Sequence, residues 1–320
     1  MKEVKNSVRY VVENSVDVKI NAEAVSALAD KLSKQSLKFP QWDYTYHYFD
    51  GTEKTLHYLF LLDTLNFCFW PSHGQQRWTI KYNERYLSGY NALAAALKHA
   101  MEQGIPLDDP GYLASIRMAD LEGILGGKGQ LQLMDERLRA ARELGSYLLK
   151  NWHGSPAKLV QASRGSALWL ARKVATDLTS FRDVANYRGR PVYFYKRAQI
   201  LTADIYGAFQ GRDWGNFCDM DQLTAFADYK LPQVLRHLGV LKYSDSLAAR
   251  VDSEILIPKG TNEEIEIRAH TIWAIELLCD ELREKGKNVC AFELDWILWN
   301  MGQKDKYRKR PYHKTVTIFY

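Results

Sequence analysis

The chain has little of what ties small or exported proteins together. Its four cysteines, Cys68, Cys218, Cys279 and Cys290, lie far apart with no CxxC pair. That spacing excludes a zinc ribbon and a disulfide framework and suits a reducing compartment. The eight histidines form no HExxH or HxH pattern, so neither a dedicated metal site nor a cofactor is expected. No apolar run reaches membrane-spanning length. The greasiest segment, Leu56 to Trp70, is short and carries Asp63 in its middle. The opening MKEVKNSVRYVVENSVDVKIN is sprinkled with charge and leads into no apolar core, unlike a secretory leader. The expectation is a soluble, cytoplasmic protein with no membrane partner.

Charge of one sign is also scarce. Lys and Arg number 43 against 38 Asp and Glu, for a net charge of +5. A protein that tracks a duplex backbone shows a denser basic stripe, so no stable nucleic-acid complex is expected. The one concentrated run is Lys304 to Arg310, KDKYRKR. Most of it reads as a solvated turn, with part of it open to gripping one phosphate. Internal repeats, low-complexity tracts and Pro/Ser linkers are missing as well. What remains is 320 residues, 46% apolar and 25% charged, enough to bury a large core without staples. Residues 1–320 read as a single catalytic unit, or as two packed helical lobes with the pocket between them.

The dominant pattern is helical. Ile20, Ala24, Leu28 and Leu32 recur every four residues within 20–37, and 53–66, 91–103, 135–149 and 165–180 behave alike. Clustered β-branched and aromatic residues predict short extended pieces at Tyr44–Phe49 and Thr79–Tyr82. The class is mainly α with a small β element in the N-terminal third. Gly123–Gly129, GILGGKG, fails as a phosphate-binding loop. Its Gly-Lys pair comes one residue early, and Gly129 stands where Ser or Thr would hold magnesium. It reads as a mobile connector between helices.

The second half carries a sharper pattern. Leu231, Val234, Leu235 and Leu238 fall at i, i+3, i+4 and i+7, the buried face of one helix. Pro232 fits its first turn and Gly239 its C-terminal cap. Asp228 therefore lies on the turn ahead of the helix, where the positive end of the helix dipole favours a carboxylate. By itself that is a cap, as aspartates at helix starts commonly are.

Six stretches change the weighting: Trp42–His47 (WDYTYH), Asp63–Pro71 (DTLNFCFWP), Phe194–Ile200 (FYKRAQI), Asp221–Tyr229 (DQLTAFADY), Glu293–Trp296 (ELDW) and the ending Pro311–Tyr320 (PYHKTVTIFY). In this combination and order they resemble the queuosine salvage family, over nearly the whole chain. The Gly123–Gly129 connector and about the first 15 residues carry the resemblance least. It implies an N-glycosylase that cuts queuosine 5′-monophosphate, and a helical core related to the helix-hairpin-helix DNA glycosylases. The implied pocket holds one nucleotide. Carried over residue by residue, Asp228 is the catalytic acid and Lys196 its neighbour. His47, Asn66, Phe67, Phe226, Tyr229, Asp295 and Trp296 are implied to hold the substrate, with Arg310 and His313 near its phosphate.

The chemistry suits those residue types. Cutting an N-glycosidic bond gives the ribose oxocarbenium character, which a fixed carboxylate stabilises while orienting the attacking water. Queuine is a 7-deazaguanine with no N7 to protonate, so its departure needs help elsewhere on the ring. Asp295 is open to two roles, that help or pairing with the cationic aminomethyl arm. Each residue also has a plainer reading. Lys196 suits a helix surface, Phe67, Trp70 and Trp296 suit core packing, and His47 suits a structural histidine. Asp63 and Asn66 share a face of an apolar helix, where polar groups need partners. Two other functions fit the residues less well: a nucleic-acid base glycosylase, and a queuosine or queuine carrier without turnover.

Overall fold

The computed structural model describes every residue except Lys38. Helices dominate, as the periodicity requires. Among the described residues the sheet content is three short antiparallel pairs: Val18–Ile20 with Leu241–Tyr243, Thr79–Tyr82 with Arg85–Ser88, and Val184–Tyr187 with Arg190–Tyr193. The hairpin at 79–88 is the β element expected in the N-terminal third. The other two pairs are too short to leave a clear alternation.

Four of the expected helices sit close to their reading, at Glu53–Leu65, Tyr90–Glu102, Met134–Trp152 and Ala167–Asp177. The segment read as a helix over 20–37 differs. Ile20 ends a strand, and the helix is Ala22–Ser33. Tyr44–Phe49 is not extended either. Asp43 folds the chain back, its Oδ1 accepting from the Thr45 N–H at 2.9 Å and its carbonyl from the His47 N–H at 3.3 Å. The Gly123–Gly129 segment is pinned to a strand by the reciprocal bonds of Thr79 and Lys128, both 2.8 Å. Glycine is required there: a Cβ on Gly127 would lie 2.3 Å from the Thr79 carbonyl oxygen.

Two large apolar clusters share the helix Asn262–Glu284. Ile265, Ala269 and Ile272 join one, and Ile267, Ala274, Ile275 and Leu278 the other. Such a helix is apolar on several faces, and its polar residues are correspondingly conspicuous. Thr261 caps it, accepting the Glu264 N–H at 3.4 Å.

The helix Glu53–Leu65 is buried from Thr55 onward, so the carbonyls of its last turn have no water to meet. Two arginines take them. Arg197 donates to the carbonyls of Asp63 at 2.8 Å and Thr64 at 2.5 Å. Arg137 donates to those of Leu65, Phe67 and Cys68. Cations belong at a helix C-terminus, and here they also fix the chain that follows it. The Phe67 ring lies between them, 4.3 Å from Arg137 and 5.0 Å from Arg197.

Candidate active site

A cavity of about 800 Å³, within the usual range for small-molecule sites, opens against the cluster that holds Ile265, Ala269 and Ile272. Four of the pieces of chain in its wall carry most of the candidate residues. The helix Lys196–Ala208 contributes Lys196, Ile200 and Asp204, one stripe at steps of four. The loop before the helix Lys230–His237 contributes Phe226, Asp228 and Tyr229. The helix Ala291–Met301 adds Asp295, Trp296 and Trp299, and the loop 40–47 adds Trp42 and His47.

Of the residues singled out from sequence, Asp228, Lys196, His47, Asn66, Phe226, Tyr229, Asp295 and Trp296 all line this cavity. Three do not. Phe67 is spent between the two arginines behind the wall. His313 is 1% exposed, its Nε2 3.3 Å from the Tyr320 hydroxyl. Burial and the neighbouring Arg268 hold its imidazole neutral, down to about 3, so it offers a phosphate no charge. Arg310 is exposed outside the lining, while Arg308, Lys309 and Lys314 beside it reach the wall.

Asp228 is half-buried and anchored by one oxygen. Its Oδ1 accepts the backbone N–H groups of Lys230 and Leu231, each at 2.8 Å. Oδ2 takes no hydrogen bond from the described residues and remains for a ligand. The cap and the candidate catalytic group are thus one side chain, with one oxygen for each purpose. Lys196 occupies the first turn of its helix, where the dipole disfavours a cation. It is 5% exposed, and burial pulls its ammonium down, partly offset by the Asp228 carboxylate.

Asp295 is held differently. Its Oδ2 accepts the Phe226 N–H at 2.7 Å, and Oδ1 takes no bond from the described residues. Burial raises it well above the carboxylate range, and the Asp228 charge raises it further. A protonated Asp295 then faces the cavity beside Asp228. Asn66 ends the Glu53–Leu65 helix and donates through Nδ2 to Asp63 Oδ1 at 3.2 Å. The shared face expected for these two is present, and Asp63 stands one layer behind.

A hub that the sequence did not reveal holds the pieces together. Arg268 donates to both Asp183 oxygens, at 2.9 and 2.6 Å, and to the Ala227 carbonyl at 3.1 Å. Asp183 accepts the Lys196 N–H at 3.2 Å. One buried ion pair therefore fixes the residue before Asp228 and the start of the Lys196 helix. Arg268 also lies 4.4 Å from the Tyr320 ring, whose hydroxyl donates to Glu264 at 2.8 Å. An arginine in the middle of IEIRAHTIW was the available signal, since a charge on a helix that is apolar on several faces demands a partner.

The cavity has electrical polarity. Arg77, Lys230 and Arg308 lie near one another on its wall, with Lys309 also lining it and Lys314 paired to Glu254 at 3.2 Å. Burial, and then Arg308, pulls Lys230 down to about 8. Asp204 lies two turns along the stripe from Lys196, with Trp42, His47 and Tyr90 also on the wall.

Two carboxyl groups facing a nucleotide-sized cavity, one raised by burial and the other anchored by backbone N–H groups, suit a glycoside-cleaving class of hydrolase. The particular family follows from comparison. The profile of the queuosine salvage protein family matches residues 46–320. A relative from Sphaerobacter thermophilus named queuosine 5′-phosphate N-glycosylase/hydrolase is 46% identical over 317 residues, spanning 99% of this chain and 97% of its own. Relatives of the same name from Mus musculus and Dictyostelium discoideum are each 36% identical, with 99% of this chain and 98% of theirs covered. The chain belongs to the queuosine salvage protein family.

Proposed function

We propose that the chain hydrolyses the N-glycosidic bond of queuosine 5′-phosphate and releases queuine. The observation that carries the reading is the pair Asp228 and Asp295 on one wall, the first anchored by backbone N–H groups and the second kept protonated by burial and by its neighbour. In this scheme the free Oδ2 of Asp228 faces the ribose, stabilises the oxocarbenium ion and orients water. Asp295 gives its proton to the departing base, through the oxygen that Phe226 leaves free. Of the two roles open to it, the neutral form favours this one.

Lys196 lies beside Asp228 and binds the sugar or the bridging oxygen of the phosphate. The basic wall takes the phosphate itself, through Lys230, Arg77 and Arg308, in place of Arg310 and His313. Aromatic faces of Phe226, Tyr229 and Trp296 hold the base. Incubation with queuosine 5′-phosphate, followed by mass detection of free queuine, tests the reading. Release of queuine from an intact modified tRNA in preference to the mononucleotide would overturn it in favour of a nucleic-acid glycosylase. Tight binding without any free base would mark a carrier.

A further inference from the structure

The mechanism leaves one buried lining acid unused. We propose that Asp204 is the counter-ion for a cationic amine on the base of the ligand, and that His47 and Tyr90 position it for that task. The proposal rests on the preceding reading, that a queuosine nucleotide fills the cavity.

Position supports it first. Lys196, Ile200 and Asp204 form one stripe, and eight residues of helix span about 12 Å. With the sugar near Lys196 and Asp228, the base runs past Ile200 and its substituent comes to Asp204. The phosphate wall is basic, so an acidic group away from it matches a ligand with an anion at one end and a cation at the other. Trp42, Tyr90 and Trp296 also line the cavity, and aromatic faces attract alkylammonium groups. Asp204 Oδ1 takes no hydrogen bond from the described residues, although the side chain is 3% exposed.

A count of hydrogens shows how the acid is kept. The Asp43 carbonyl, 2.7 Å from His47 Nδ1, only accepts, so Nδ1 carries a hydrogen. Tyr90 has one hydroxyl hydrogen and two neighbours, His47 Nε2 at 2.9 Å and Asp204 Oδ2 at 3.0 Å. If His47 is neutral, Nε2 takes that hydrogen, and Asp204 must be protonated to bond the tyrosine oxygen. If His47 is cationic it donates to Tyr90, which donates to an ionised Asp204. The chain of three carries no net charge either way. Burial pulls His47 down to about 4 and pushes Asp204 up, which selects the first arrangement. Asp63 and Tyr58 face Asp204 from the Glu53–Leu65 helix, Tyr90 from its own helix and Lys196 from the same helix. Asp63 pushes the acid further up and Lys196 opposes.

A cation arriving at Asp204 replaces both with a third arrangement, in which His47 stays neutral and the amine supplies the balancing charge. The carboxyl gives its proton to solvent, the carboxylate pairs with the amine, and the Tyr90 hydrogen turns from His47 to the stronger acceptor. The pocket thus carries its counter-charge only when a matching ligand is present, and avoids burying a bare carboxylate otherwise.

Titration calorimetry with free queuine and with 7-deazaguanine, which lacks the amine, tests this in the wild type, Asp204→Asn and Tyr90→Phe. Measurement at pH 7 in two buffers of different ionisation enthalpy also counts protons. The wild type should prefer queuine by about tenfold to a hundredfold, the scale of one charge-assisted hydrogen bond. Asp204→Asn should erase that preference while holding 7-deazaguanine within about threefold, which also reports an intact fold. It should release about one proton fewer per queuine bound. Tyr90→Phe should lose part of the preference and leave 7-deazaguanine unaffected. An equal loss for both bases in Asp204→Asn, or an unchanged proton count, would overturn the assignment. Because binding is read without turnover, a protein that holds queuine through Asp204 and cuts no nucleotide would sink only the preceding function.

Discussion

Asp183 and Asp204 are buried alike, at 2% and 3% exposure, and meet opposite surroundings. Asp183 receives both arms of Arg268 and a backbone N–H. Asp204 meets one tyrosine hydroxyl, and its fellow acids Asp63 and Asp295 fare little better. A buried charge that is fully paired serves geometry, since all its bonding capacity is spent within the protein. Acids left short of partners keep their protons and retain capacity for a ligand. The contrast separates the part of this molecule that holds the pocket from the part that acts in it.

The largest expected effect falls on the paired side. Arg268→Met removes one partner and strands Asp183 and Glu264, a loss of about 3–5 kcal/mol of stability. Denaturant unfolding reads it directly, and wild-type stability in this variant would dissolve the distinction. Asp228→Asn should do the reverse. Turnover falls a hundredfold or more, about 3 kcal/mol of transition-state stabilisation, while the loss of cap energy stays near 1 kcal/mol. The fall should appear in kcat far more than in substrate affinity. Retention of a tenth of wild-type kcat would make Asp228 only a cap and move the search to Asp295.

A smaller effect belongs to the basic wall. Lys230→Ala should raise KM for the 5′-phosphate about tenfold and leave the bare nucleoside nearly untouched. In the wild type the same KM should climb as pH passes about 8, where Lys230 loses its charge. A KM flat from pH 7 to 9.5 would show that Lys230 does not grip the phosphate.

The smallest concerns Asp63, which burial pushes up to about 7. The unfolded chain gives up that proton near pH 4, so between about 4 and 7 the native state binds more protons. Stability therefore falls as pH rises through that window. Asp63→Asn should flatten the slope and gain about 1 kcal/mol at pH 8. An unchanged slope would place Asp63 among the paired acids.

Much of the helical framework was legible because a buried helical face repeats at a fixed period, as Leu231, Val234 and Leu235 do just after Asp228. The strand Val18–Ile20 was not. It pairs with residues 241–243, and such partners leave no trace in local spacing. At the site, the family pattern pointed to Lys196, Asp228 and Asp295. It could not tell wall from backing, so Phe67 and His313 entered the same list although their contacts lie in the core. Asp183, Arg268 and Asp204 escaped for a related reason. Their roles are defined by partners far along the chain, and a single sequence shows a buried charge without showing what meets it.

Gly207 seats two of the cavity's aromatic walls. Its missing side chain lets the helix Lys196–Ala208 seat Trp296 and Trp42 flush against its backbone, where a Cβ would stand 2.9 and 3.1 Å from their rings. One added methyl group would push both indoles off the helix and so displace two aromatic walls of the cavity. The seating of two aromatic walls thus hangs on a residue that does not itself line the cavity, and on its having no side chain at all.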